Sequence, residues 1–379
     1  MIQRIIFLLI AIIACTIAQA INPLELDNAG KTLEKELLES AKKGNLDAQV
    51  ELGDLYYVCG DYKKMIKWYK KAAKQGYAVG QNKLGDCYYE GEGVAKDYEK
   101  AVYWFKLAAI QGLDIAQYNL GMCYSYGEGV DQDYNQAESW YYAAASQGNP
   151  DLQYELGLKF FKGRSLPIND EKAVFWFRNA AEQGHKEAQY NLACCYFQGY
   201  GVEQNDSIAF IWFKESSSHC SHASFYLGYI YYYGLDQERN YSLAFDCFKK
   251  DIYDHYDTSY YLGLCYYNGQ GVEQDYEKAY ECFTESKEAG NVKAECKLAE
   301  MSFYGHYVAQ NYYTAFHLLS SVVDKYGSTS DSKKHLSECY RFGFGTTKDI
   351  EKAEYWLRRA QEEGSEDADV IVKLLEKKE

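Results

Sequence analysis

Residues Ala116 to Gly148 read AQYNLGMCYSYGEGVDQDYNQAESWYYAAASQG, and this stretch decides the fold. Ala116, Leu120 and Tyr124 stand four apart, the spacing of one helical stripe. Gly121, beside that stripe, carries no side chain, so a second helix can approach closely. Gly127 is placed to end the helix in the left-handed conformation that glycine adopts at little steric cost. Glu128 to Gln132 form a short turn, and Asp133 is positioned to cap a second helix. Ala137, Trp140 and Ala144 give that helix its inward stripe, and Gly148 ends it. Two helices of this size cannot bury both stripes alone, whereas stacked copies can.

The copies are present. Leu52, Leu84, Leu120, Leu156, Leu192, Leu227, Leu262, Leu298 and Leu336 recur at steps of 32 to 38 residues. Seven residues after each of the last eight leucines stands a glycine: Gly91, Gly127, Gly163, Gly199, Gly234, Gly269, Gly305 and Gly343. Seventeen after them stands an alanine, from Ala101 and Ala137 to Ala353, and three further on tryptophan occurs five times. Two fully occupied columns over eight units predict an all-α chain, an α-solenoid of about nine two-helix repeats with a period near 36 residues. Residues 29–44 match the second helix of a partial unit, with Ala41 and Gly44 in register. The expected organisation is a targeting segment at 1–20, an N-terminal cap and partial repeat at 21–47, the solenoid at 48–364 and a capping helix at 365–379.

These residues resemble the Sel-1-like repeat, a relative of the tetratricopeptide repeat with a longer loop between its helices. The resemblance rests on Ala116 with Leu120-Gly121, Gly127-Glu128-Gly129-Val130 and Asp133, and on Leu84-Gly85, Gly91-Glu92-Gly93-Val94, Lys100-Ala101, Trp104 and Ala108-Ala109 in the adjacent copy. It implies a right-handed solenoid whose first helices line a concave face, and an adaptor role in protein assemblies. The loops after Gly234 and Gly305 depart from the pattern, reading Leu235-Asp236-Gln237 and His306-Tyr307-Val308 where Gly-Val is expected.

Met1 to Ala20 combines Arg4, an apolar run from Ile5 to Ala14 and the exit Ala18-Gln19-Ala20, the layout of a secretory signal cleaved after Ala20. Ile12-Ile13-Ala14-Cys15 gives the alternative of a lipid anchor. No later segment is long and apolar enough to span a bilayer, so no transmembrane span is expected in the mature chain. The expected compartment is periplasmic or extracellular, with the endoplasmic reticulum lumen as the alternative. A formal net charge of -15 argues against a nucleic-acid surface.

Secretion would place the 12 cysteines in an oxidising compartment. Cys87, Cys123, Cys195, Cys265 and Cys339 share one column on the first helices. Stacked helices lie about 8–10 Å apart and a disulfide needs Cα atoms within about 7 Å, so that column reads as small apolar packing. Cys282 and Cys296, on neighbouring helices, are a candidate disulfide. Secreted relatives carry a disulfide in each repeat between cysteines eight residues apart, a spacing absent here.

No nucleophile–base pair, cofactor motif or metal set emerges. Gly30-Lys31-Thr32 lacks the upstream glycine of a phosphate loop, Asp131 to Tyr142 lacks the glycine and glutamate of a calcium loop, and His219, Cys220 and His222 lack a fourth ligand. Ser330-x-x-Lys333 stands without its partner motifs. The sequons at Asn205 and Asn240 occur at chance frequency.

Aromatic residues carry the functional expectation. Two before the marker leucine stand Tyr118, Tyr154, Tyr190, Phe225 and Tyr260, and five after it Phe161, Phe197, Tyr232 and Tyr267. They are expected to form a ladder on the concave face that binds proteins or peptides, with packing between units as the competing reading. The predicted function is a non-catalytic scaffold without cofactor or metal. The alternatives are a β-lactam-binding or hydrolysing enzyme, by analogy with cysteine-rich relatives, and an envelope factor that stacks carbohydrate.

Overall fold

In a computed structural model the described residues are 23–163, 165–251, 257–323, 325 and 329–364. The expected targeting segment at 1–20, Cys15 and the expected helix at 365–379 lie outside them. The described residues form helices joined by turns, with no strand among them. Contacts divide the chain into two compact units, residues up to 188 with 200–202, and residues 189–199 with 203 onward. Each unit is a run of antiparallel helix pairs, a first helix (A) and a second (B), packed in chain order.

In the first unit α1 (Pro23–Lys42) precedes four pairs: α2 (Leu46–Val58) with α3 (Tyr62–Lys74), α4 (Ala78–Glu90) with α5 (Tyr98–Ile110), α6 (Asp114–Tyr126) with α7 (Tyr134–Ala145), and α8 (Pro150–Lys162) with α9 (Asp170–Glu182). Helix α10 (Lys186–Gln198) lies mainly in the second unit. It is followed by α11 (Asp206–Ser216), α12 (Ser221–Tyr233), α13 (Tyr241–Lys250), α14 (Thr258–Asn268), α15 (Tyr276–Glu288), α16 (Val292–Tyr304), α17 (Tyr312–Val322), α18 (Ser330–Phe342) and α19 (Ile350–Glu362).

The marker columns have backbone causes. All eight loop glycines, Gly91 through Gly343, have φ between 64° and 81° and follow the last residue of an A helix, the left-handed stop expected of them. Asp133 accepts from the Asn135 and Gln136 amides at 2.9 and 3.0 Å. Asp97, Asn169, Asn205, Asn240, Asp275, Asn311 and Asp349 cap their B helices in the same way.

One expectation about the B stripe changes. Trp140 is only half-buried, and the ring that reaches the core is its neighbour Tyr141. The same slot holds Tyr69, Phe105, Phe177, Phe213, Phe248 and Phe283, then Leu319 and Leu357, all buried. Each ring lies on the small residue after the marker leucine. A Cβ added at Gly121 would sit 2.8 Å from the Tyr141 ring, and one at Gly263 would sit 2.5 Å from the Phe283 ring. Close approach therefore favours glycine there, which is what Gly121 suggested, although Ala193 fills the slot in the copy that carries Phe213. Where leucine replaces the ring, in α17 and α19, the facing residues are the larger Ala299 and Ser337.

A glutamine ladder ties the first unit together. Gln49, Gln81, Gln117 and Gln153, all buried, donate Nε2 to the carbonyls of Ala41, Ala73, Ala109 and Ala145 at 3.1 to 3.4 Å. Their own side-chain oxygens accept from Gln75, Gln111, Gln147 and Gln183 at 2.7 to 2.9 Å. Helix α1 enters this pattern through Ala41, as the B helix of a partial repeat would.

Candidate partner-binding surface

The nine aromatic residues expected to form an open ladder do not form one. Phe225, Tyr260 and Tyr267 are buried, and Tyr118, Tyr154, Phe161, Tyr190, Phe197 and Tyr232 are half-buried. They grip the B-helix rings from two sides. Tyr190 and Phe197 both stand 6.1 Å from Phe213, Phe225 and Tyr232 stand 6.0 and 6.4 Å from Phe248, and Tyr260 and Tyr267 stand 6.0 and 6.2 Å from Phe283. In the first unit Tyr118 packs on Tyr141, and Tyr154 and Phe161 pack on Phe177. At about 100° per residue these slots stand only about 40–60° around the helix from the glycine on which the ring rests. The ring therefore reaches across to both, and they pack rather than face solvent.

The slots five after the leucine also latch onto the following loop. Tyr57 donates to Glu92 at 3.2 Å, Tyr89 donates to Glu128, and Tyr232 donates to Gln270 at 2.8 Å. Tyr267 meets both Glu300 (3.0 Å) and His306 Nδ1 (2.9 Å). Burial, reinforced by nearby Glu300, raises the Tyr267 hydroxyl pKa well above its ordinary value.

The A-helix stripe beyond those slots carries the residues one before, two after and six after each marker leucine. In the first unit it is mixed: Val58, Met122, Tyr126 and Leu158 stand among polar residues, of which Asp54 accepts from the Tyr69 hydroxyl (2.5 Å) and pairs with Lys83 (2.9 Å). Asp86 accepts from the Asn82 and Asn119 amides at 3.0 and 3.1 Å, and burial pushes its pKa up to about 6. In the second unit the stripe turns aromatic. Tyr226 stacks on Phe213 with centroids 4.7 Å apart, and Tyr261 stacks on Phe248 at 5.3 Å. Tyr229 lies between them, 4.7 Å from Tyr233 and 5.7 Å from Tyr261. Tyr233 is 42% exposed, its hydroxyl 3.5 Å from that of Tyr261. Further along stand the pair Lys297–Glu300 (2.7 Å) and the buried His335, bonded to the Tyr304 hydroxyl at 2.9 Å. This tyrosine row was missed by tracking residues that repeat; its signal was Tyr226 and Tyr261 standing where the first-unit copies carry Glu, Lys or Asn, with Tyr229 at a slot that varies among Asp, Met, Leu, Cys and Glu.

None of the eleven described cysteines is joined in a disulfide. Cys282 and Cys296 are among them, so the candidate disulfide is not formed. Cys87, Cys123, Cys265 and Cys339 are buried, and burial pushes each thiol pKa up to about 12, in keeping with apolar packing. Among the described residues no three His, Cys, Asp or Glu side chains group as a metal set, and no helix is long and apolar enough to cross a membrane.

The Sel1 repeat family model matches residues 46–77, 78–113, 114–149, 150–185, 186–219, 221–250, 258–291, 292–321 and 331–365. The chain belongs to the Sel1 repeat family. Its nine Sel1 repeats coincide with the nine marker leucines. Among solved structures it is similar to c5321, a protective antigen present in uropathogenic Escherichia coli strains, at 26% identity over 91% of this chain and 90% of that one, with a TM-score of 0.47. A Sel1 repeat protein from Oxalobacter formigenes is 28% identical over 63% of this chain and 99% of its own, with a TM-score of 0.48. No curated protein sequence matches. Sel1 repeat proteins are generally protein-interaction scaffolds.

Proposed function

We propose that this Sel1 repeat protein is a non-catalytic scaffold that binds proteins or peptides in the secretory, periplasmic or extracellular compartment. The observation that carries the binding reading is the packed tyrosine row of the second unit, Tyr226, Tyr229, Tyr233 and Tyr261, on a stripe whose first-unit positions hold one tyrosine, Tyr126. Rigid aromatic side chains give a partner large contact area at small entropic cost. The net charge of -15 favours protein over nucleic acid. The compartment rests on the leader-like pattern of Met1 to Ala20.

Affinity capture with the processed chain, followed by titration of the purified partner, tests the reading. Replacing Tyr229 and Tyr233 together by alanine should weaken binding at least tenfold while the helical circular dichroism is kept. Unchanged affinity would remove the tyrosine row from the interface. N-terminal sequencing of the exported protein should begin at Ile21, and retention of Met1 would refute the compartment.

A further inference from the structure

The loop of the eighth repeat departs from its siblings in a way that burial does not repay. Two residues past the glycine that ends each A helix, a second left-handed glycine recurs: Gly93, Gly129, Gly201, Gly271 and Gly345, with φ from 64° to 75°. It rests on the backbone of the preceding repeat; a Cβ at Gly271 would overlap the Tyr241 carbonyl, and one at Gly345 the Tyr312 carbonyl. In the eighth repeat this slot holds Tyr307, with φ of 65°. A bulky residue in that conformation is strained, yet Tyr307 is 53% exposed. Its ring is thrown back across α15, 5.5 Å from that of Tyr280 at an angle of 51°, and its hydroxyl donates to Glu277 at 3.0 Å. Glu281, also exposed, follows Glu277 by one turn on the same helix. The bond to Glu277 raises the Tyr307 pKa, so the phenol remains neutral.

We propose that Tyr307, Tyr280, Glu277 and Glu281 form a recognition patch for a cationic side chain, an arginine or lysine of a protein partner. The proposal rests on the scaffold reading and gives that partner its chemistry. Two tilted rings offer π-faces to a guanidinium or ammonium group, and two carboxylates one turn apart offer it countercharge. The chain's own fold uses the same pairing, with Lys278 over Tyr266 at 5.4 Å and Lys352 over Tyr340 at 5.3 Å. A molecule of net charge -15 also draws in cationic partners and repels acidic ones.

Fluorescence anisotropy of the full chain with a labelled peptide of alternating arginine and serine tests this, with alternating glutamate and serine as control. The basic peptide should bind, and more weakly as salt rises, while the acidic one should not. Tyr307→Gly decides the matter because it changes no charge and restores the residue that the left-handed backbone prefers. It should weaken the basic peptide at least fivefold while the melting temperature holds or rises. Glu277→Gln with Glu281→Gln should do the same. Unchanged affinity in both variants would overturn the patch, as would equal binding of the acidic peptide. Joint loss of melting temperature and affinity in Tyr307→Gly would overturn it too, making the ring structural. A captured protein that still depends on Tyr229 and Tyr233 but ignores these variants would leave the scaffold standing and remove only this proposal.

Discussion

The two units repeat the same backbone plan and differ in what closes it. In the first, every junction carries the same pair of glutamines, one bonded to a helix-end carbonyl and the other to the first. In the second, α10 keeps a glutamine, Gln189, in the slot of Gln117, and beyond it the slot is taken by Ser224, Ser259, Glu295 and Lys333. Each junction then finds its own solution: Ser259 donates to Glu285 (2.9 Å), Glu295 pairs with Lys325 (3.2 Å) and Lys333 with Glu363 (2.6 Å). The A stripe changes with it, from a mixture of carboxylates, amides and scattered apolar residues to the stacked tyrosines and the His335 region. A repeat frame thus fixes the spacing of helices while leaving side-chain closure and surface chemistry to vary copy by copy. The regular unit reads as structure, and the irregular one holds the aromatic row and the strained loop.

The feature shared by both units should give the largest effect when broken. Gly121→Val in the first unit and Gly263→Val in the second each drive a branched side chain into a buried ring, Tyr141 or Phe283. Neither ring can retreat, since both are fully buried between neighbours. Each substitution should cost about 3 kcal/mol, read by urea denaturation with hydrogen exchange to locate the loss. A cost below about 1 kcal/mol in one unit only would show that its ring is loosely held and that the shared packing rule fails there.

The ladder gives a smaller and asymmetric effect. Gln117→Ala removes the donor to Ala109, in a buried bond, and the acceptor of the exposed Gln147. Ala109 still accepts from the Gly112 amide and Gln147 still donates to the Gly112 carbonyl, which limits the cost to about 1–2 kcal/mol. Ser259→Ala, at the equivalent slot of the second unit, gives up one bond to Glu285, whose carboxylate lies at the surface, and should cost about 0.5 kcal/mol. Equal costs by chemical denaturation would mean that the ladder adds nothing to the first unit beyond what a single serine supplies.

What the sequence revealed follows the same division. Leu120, Gly127 and Ala137 were legible because backbone geometry admits few residues at those places: a left-handed stop, a close helix crossing, a buried helix core. The ring column at Tyr141 was hidden because tyrosine, phenylalanine and leucine all fill the slot, so identity does not repeat although volume does. Tyr118, Phe161 and their equivalents were placed correctly on the A helix and assigned to the wrong neighbour. A helical angle says which way a side chain points, whereas only the packed structure says that the Phe177 or Phe213 ring lies across it. The tyrosine row was invisible to a search for repetition because tyrosine fills its slots in only some copies.

Acid should separate the units most finely, because the titrating groups on their A stripes respond with opposite sign. Burial raises the Asp86 pKa to about 6, with Lys83 opposing, from an ordinary value near 3.8. The folded first unit therefore holds that proton more tightly than the unfolded chain, and its stability from this group increases as pH falls through about 6. His335 shifts the other way: burial lowers its pKa from 6.5, outweighing the attraction of Glu338, Glu300 and Asp331, with Lys334 acting in the same direction as burial. Below pH 6.5 the unfolded chain takes up a proton that the folded second unit resists, so stability is lost there as pH falls. Between neutral pH and about pH 5, hydrogen exchange should slow around Asn82, Asp86 and Asn119 and quicken around Tyr304 and His335. The change around Asp86 should be about 1 kcal/mol, and that around His335 should have the opposite sign. Asp86→Asn should abolish the first response and leave the second intact. Parallel acid responses in the two units would mean that one of these side chains is solvated in the folded chain, and with it the contrast between a buried carboxyl and a buried histidine would fail.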